Sequence, residues 1–286
     1  MTVAYVVTAH HLPSLLVRLL DRLVDHAVTI QVHVDANSDT EHMYAPIEAY
    51  ATAQPSVALL PRRPCAWGTF GTVDATLDGI RQALCAPFDH LTLLTGQDYP
   101  VKPASWVASF LDDNRGLSFV EYSSLPIKEW RNGGLDRVEY RYRPDLSRSP
   151  DKRPVPRDLR LYGGLAQWTL SRAAAEYVTS FLEDHPDLVD FLSTTYIPDE
   201  LVFQTVLLNS PFRDAILNDS LRYVDWSTNT SHPKNLTRDD LPALRATNAT
   251  HARKFDLSDE SMALLDCIDR ELLESGSQSR PLTRSD

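Results

Sequence analysis

Short apolar runs alternate with amphipathic stretches along the first 125 residues: "VAYVV" then "LPSLLVRLLDRLVDH", "TIQVHVD" then "MYAPIEAYATA", "VALL" then "GTVDATLDGIRQALC", "LTLLT" then "PASWVASFLDD", and last "LSFVEY". Leu15, Leu16, Leu19, Leu20 and Leu23 recur at helical spacing, which predicts a helix with one apolar face. Val3 to Val7 form an unbroken apolar run between polar turns, as a strand covered on both faces should. The alternation predicts a doubly wound parallel sheet. In such sheets ligands collect beyond the carboxyl ends of the strands, which directs attention to Asp35, to Gly96 through Asp98, and to the residues from Tyr122 onward.

The alternation stops near Pro126. The segment "RYRPDLSRSPDKRPVPRD" (141–158) is rich in Pro, Arg, Asp and Ser and predicts a loop or mobile flap. A helix is expected over Arg172–Glu183, and a second, amphipathic one opened by Pro198 and Asp199 in "YIPDELVFQTVLL", because proline and acids favour the first helical turn. The tail 275–286, "SGSQSRPLTRSD", has the composition of a disordered segment.

Composition narrows the function. The chain has 286 residues, 43% of them hydrophobic, enough to bury a sizeable core. With 39 acids against 28 bases its formal net charge is -11, which argues against a broad nucleic-acid or anionic-membrane surface. Three cysteines lie far apart with no CxxC pair, so neither a disulfide framework nor a zinc site is indicated. No stretch approaches the roughly 18 to 20 apolar residues that span a bilayer, and "MTVAYVVTAHH" reads as a buried strand, not a signal peptide. A cytoplasmic protein without stable membrane insertion is expected.

Against this acidic background, "DWSTNTSHPKNLTRDDLPALRATNATHARKFD" (225–256) gathers Lys234, Arg238, Arg245, Arg253 and Lys254. Such a cluster suits a local anion. The chain has no G-x-G-x-x-G, no G-x-x-x-x-G-K-[ST] and no G-x-S-x-G, which removes the commonest dinucleotide, P-loop and hydrolase readings. It also has no Asp-x-Asp triplet. A bound diphosphate would then have to meet side-chain cations in place of a metal.

The segments "VHVD", "WGTFGTVDATLDGIRQAL", "LTLLTGQDYPVK", "YGGLAQWTLS", "YIPDELVFQTVL", "RYVDWSTNTSHPKNLT" and "ARKFD" follow one another in the order of the Core-2/I-branching β-1,6-N-acetylglucosaminyltransferase and peptide O-xylosyltransferase family, which the chain resembles from about Tyr5 to Asp256. The resemblance implies a GT-A-like α/β fold, a doubly wound mixed sheet flanked by helices in a single domain. That domain would cover 1–274, with a nucleotide-binding half (1–125) and an acceptor and catalytic half (126–256). It further implies an inverting transfer of a sugar, GlcNAc or xylose, from a UDP-sugar to a glycan or small-molecule hydroxyl, without a metal or other cofactor.

By the same resemblance Glu200 matches the catalytic base and Lys254 the lysine that contacts the donor diphosphate. Arg253, His232 and Lys234 are further candidates for that diphosphate. Asp35 matches an aspartate near uridine and ribose, and His10 lies where the nucleotide pocket begins, although a helix-start role fits His10 equally. Trp67 and Gly68, which open "WGTFG", and Asp98 of "GQDYP" fall on the donor side. Glu121, Lys128 and Arg131 match acceptor-binding residues, and Trp130, Trp168 and Trp226 are candidate platforms for sugar rings. A catalytically silent sugar- or nucleotide-binding protein, or a nucleotide-sugar hydrolase, is the alternative reading.

Overall fold

The computed structural model describes residues 1–24, 27–156, 158–228 and 232–274. Twelve strands succeed one another among these residues: β1 (Val3–Ala9), β2 (Ala27–Val34), β3 (Val57–Leu59), β4 (His90–Thr95), β5 (Asp98–Pro100), β6 (Ser118–Val120), β7 (Ser123–Ser124), β8 (Tyr162–Gly163), β9 (Trp168–Ser171), β10 (Ile216–Leu217), β11 (Arg222–Val224) and β12 (His251–Arg253). Seven of them form one sheet in the order β10-β6-β9-β4-β1-β2-β3. The tail 275–286 lies outside the described residues.

Strand β1 shows why its apolar run is unbroken. Val3, Tyr5 and Val7 enter one core with the helix Pro13–Leu23, whereas Ala4 and Val6 enter a second core with the helices Gly71–Leu84 and Arg172–Asp184. Alternate side chains go to opposite faces of a strand, so both faces must be apolar here. All five leucines of the first helix are buried as its periodicity predicts. The helix Gly71–Leu84 lies so close to β1 that a Cβ at Gly79 would come within 2.5 Å of Val6 Cγ1.

The sheet is mixed, not wholly parallel as the simple alternation suggests. Strands β1, β2, β3 and β4 run parallel, but β9 inserts antiparallel between β4 and β6. Its apolar face carries Trp168 and Leu170. Its other face is satisfied by hydroxyl pairs, Thr169 with Thr92 at 3.0 Å and Ser171 with Ser118 at 3.2 Å. Buried polar groups need such partners, and these fix β9 to both neighbours. Strands from residues 1–125 and from the later half thus share one sheet.

A smaller sheet, β11-β12-β5, continues from the end of β4. Strand β12 pairs parallel to β11 and antiparallel to β5, which carries Lys254 to the carboxyl end of the main sheet. The loop over 141–156 is pinned at Arg153, whose guanidinium donates to Val138 O at 2.8 Å, Phe191 O at 2.8 Å and Thr194 Oγ1 at 2.6 Å. Arg157, in the same predicted flap, lies outside the described residues. Among the described residues no helix is long and apolar enough to cross a membrane.

Candidate active site at the carboxyl ends of the strands

The region expected to take the donor is built from loops that follow β1, β2, β3 and β12. The Asp35 amide donates to Ala9 O at 2.9 Å, joining the ends of β1 and β2. Its carboxylate Oδ1 accepts the amides of Asn37 at 2.9 Å and Cys65 at 3.0 Å. Oδ2 accepts no hydrogen bond among the described residues, so the carboxylate is fixed by the backbone with one oxygen to spare for a ligand hydroxyl. His10 and His11 follow β1 with ring centroids 4.0 Å apart.

Lys254 completes this side. Its backbone O accepts the Leu236 amide at 2.8 Å, and the next residue is held by a Phe255 amide to Gln97 O bond of 3.0 Å. The ammonium is half-buried and makes no ion pair among the described residues. Burial lowers its pKa, the Arg253 charge lowers it further, and Asp256 opposes the change. His11 is pushed down to about 4 by burial, then by His10 and Lys254, and His10 moves down by burial against the pull of Asp35. With both imidazoles pushed toward the neutral form, the Lys254 ammonium, destabilised by burial and by Arg253, is the charge here that a bound anion would stabilise.

Trp67 and Gly68 join this loop cluster to the turn that carries Glu200. Trp67 is 54% exposed and stands edge-on to Tyr196 at 5.7 Å and to His232 at 6.3 Å. Gly68 has φ +76°, and a Cβ there would meet Tyr196 at 3.2 Å. Its carbonyl accepts the Ile197 amide at 3.1 Å. The turn that follows is not the first turn of an amphipathic helix, as the sequence predicts. Pro198–Glu200 forms a separate 3-10 turn, Leu201 breaks it, and the helix begins at Val202 with every residue through Leu208 buried.

Glu200 is the last residue of that turn, before the break. Its Oε2 accepts from Arg137 Nη1 at 2.6 Å, and Oε1 accepts no hydrogen bond among the described residues. The Glu200 carbonyl accepts the Gly164 amide at 3.0 Å. A Cβ at Gly164 would overlap Glu121 O, so the paired glycines of "YGG" let the backbones of Glu121 and Glu200 approach each other. Desolvation by the surrounding chain, Asp219 and Glu200 raise the Glu121 pKa. Asp199 is pushed up to about 7 by burial and by Glu200, and its Oδ1 is sealed from solvent without a partner.

Several expected site residues are placed elsewhere. Trp168 is fully buried against Phe203, ring centroids 5.0 Å apart, and offers no face to a sugar. Asp98 is fully buried, with Oδ2 accepting the Thr95 amide at 2.6 Å. Its Oδ1 is the ion-pair partner of Arg253 Nε at 3.4 Å, so the Arg253 charge is shared with a buried carboxylate. Lys234 donates to both oxygens of Asp240, at 2.8 and 3.0 Å, with Asp225 at 3.6 Å. A cation already placed between two carboxylates has little left for a ligand. Trp130 is packed under Arg137, whose Cζ lies 3.7 Å from its ring centroid.

Lys128, Arg131 and Trp226 are exposed, and the ammonium and guanidinium have no carboxylate partner among the described residues. Sequence reasoning missed Arg137: it stands alone in "NGGLDRVEY" with no motif to mark it. Among the described residues no group of three or more His, Cys, Asp or Glu side chains is placed to hold a metal ion.

The model of the Core-2/I-Branching enzyme family matches residues 3–246. The chain belongs to this family. Xylosyltransferase 1 of Canis lupus familiaris is 27% identical over 232 residues, 79% of this chain and 24% of that protein. Xylosyltransferase 2 of Rattus norvegicus is 27% identical over 233 residues, 79% of this chain and 26% of that protein. The chain therefore spans about a quarter of the length of the curated relatives it matches. Among solved structures, a mannose-1-phosphate geranyltransferase from Thermus thermophilus covers 71% of this chain and 67% of its own at 17% identity, with a TM-score of 0.36, too slight a likeness to carry an argument.

Proposed function

We propose that this branching-enzyme family member is an inverting, metal-independent glycosyltransferase that moves a sugar, GlcNAc or xylose, from UDP to a glycan or small-molecule hydroxyl. The observation that supports it best is the Glu200 carboxylate. One oxygen is held by Arg137 and the other is free, on a turn clamped to the Trp67–Gly68 loop of the donor side. In an inverting transfer one carboxylate takes the acceptor proton as the hydroxyl oxygen attacks C1 from the face opposite the nucleotide. Glu200 Oε1 is the group that receives it. As the C1–O bond to UDP breaks, negative charge grows on the diphosphate and is met by the unpaired ammonium of Lys254, in a recess where such a charge counts for more than in water. Asp35 Oδ2 faces the nucleoside hydroxyls, and Glu121 the acceptor.

The test is release of UDP from a panel of UDP-sugars, with and without candidate acceptors, by wild type and Glu200→Gln. Glutamine cannot take the proton, so turnover should fall by about 10²- to 10⁴-fold while UDP affinity by calorimetry stays close to wild type. Turnover should also survive excess EDTA. A Glu200→Gln enzyme that turns over normally would overturn the assignment of the base. Loss of activity on chelation, restored by manganese, would overturn the metal-free account, and UDP release that needs no acceptor would make the protein a hydrolase.

A further inference from the structure

Two carboxyl groups, Asp199 and Glu200, are neighbours in one short turn, and a base must be the ionised one of them. Arg137 discriminates between them. Its Nη1 lies 2.6 Å from Glu200 Oε2, whereas Asp199 Oδ1 is buried with no hydrogen-bond partner. The pair is sheltered, with side-chain exposures of 17% and 28%, so the contact is a charge-assisted hydrogen bond of the stronger kind.

The guanidinium is itself held from behind. Its Cζ sits 3.7 Å from the Trp130 ring centroid, and the indole is wedged where Cβ atoms at Gly134 and Gly163 would come within 2.5 and 2.6 Å of it. The Arg137 carbonyl also accepts the Tyr196 amide at 3.1 Å, tying the same residue to the chain that enters the catalytic turn. A planar cation stacked on one ring and bonded to one carboxylate oxygen has little freedom left.

We infer that Arg137, backed by Trp130, is the positioning residue that orients Glu200, leaving Oε1 as the oxygen turned toward the acceptor proton. The inference rests on the reading of Glu200 as the base. It assigns Arg137 no contact with either substrate, so its effect should pass entirely through Glu200. Among the described residues Arg137 contacts the Glu200 carboxylate, and Asp199, Glu121 and Tyr196 lie near enough to feel its charge. Of these, Arg137 is the group that donates a hydrogen bond to its carboxylate, so removing Arg137 frees the carboxylate to turn.

The experiment is a double-mutant cycle on sugar transfer, with Arg137→Gln, Glu200→Gln and the two combined, with kcat and KM measured separately. Arg137→Gln should lower kcat by about 10- to 100-fold, as misplacement of a catalytic group does, with KM for the UDP-sugar unchanged. Arg137→Lys should restore part of the rate. The double variant should be no slower than Glu200→Gln alone. Should Arg137→Gln not fold, Arg137→Met keeps the stem over Trp130 without the charge and takes its place in the cycle. If Glu200→Gln is inactive while the Arg137 variant runs at the wild-type rate, or if the two losses multiply, the positioning role is wrong and the base survives. If Glu200→Gln stays active, the assignment of the base itself fails.

Discussion

Lys234 and Lys254 show how differently two lysines of one basic stretch are used. Lys234 is bonded to Asp240 and neighbours Asp225, so its charge closes the turn into the helix Leu241–Ala246. Lys254 has no such partner among the described residues, and its ammonium is destabilised by burial and by Arg253. Lys254→Ala should therefore weaken UDP binding and slow transfer by on the order of 10²- to 10³-fold, the usual loss when one preorganised charge-stabilising group is removed. Lys234→Ala should leave UDP affinity nearly unchanged. Calorimetric titration of UDP and of uridine separates the cases: uridine, without phosphate, should bind wild type and Lys254→Ala alike. Equal UDP affinity of Lys254→Ala and wild type would move the diphosphate elsewhere. Glu200 and Lys254 stand out in the sequence because each sits in a distinctive run, "YIPDE" and "ARKFD". Arg137 does not, since its partner lies 63 residues away and only folding brings them together.

At the scale of elements, periodicity located what local forces dominate. The helix Pro13–Leu23 and strand β1 follow from spacing alone, because each burial face is written within a few residues. The insertion of β9 and the break at Leu201 do not, because they depend on pairing with β4 and β6 and on the Gly68 carbonyl that receives Ile197. Gly79 tests the closeness of helix to sheet. Alanine is the better helix former by roughly 1 kcal/mol, but its Cβ would collide with Val6, which is fully buried and has no room to move. Overpacking of a filled core costs about 1–3 kcal/mol. Gly79→Ala should thus lower stability in urea denaturation, and a gain in stability would show that the helix can lift off β1 freely.

At the scale of the whole molecule, the chain accepts unfavourable groups around Glu200 and compensates for them in its cores. Asp199 is the clearest case, its pKa pushed from 3.8 to about 7 by burial and then by Glu200. The folded protein holds that proton more tightly than the unfolded chain, so this group's contribution is greatest at acidic pH and is lost as pH rises through about 7. Asp199→Asn removes the titration: its melting temperature should fall less than that of wild type between about pH 5 and about pH 8. Identical pH dependence of the two proteins would contradict the raised pKa. The linear order of residues determined the alternation of strands and helices, the apolar faces, the acidic charge and the family motifs, because each is local in sequence or additive over it. Folding alone decided that β9 divides β4 from β6, that Trp168 and Asp98 are interior, that Lys234 is neutralised while Lys254 is not, and that Arg137 meets Glu200. Those outcomes depend on which distant groups compete for one partner, and short-range spacing carries no record of that competition.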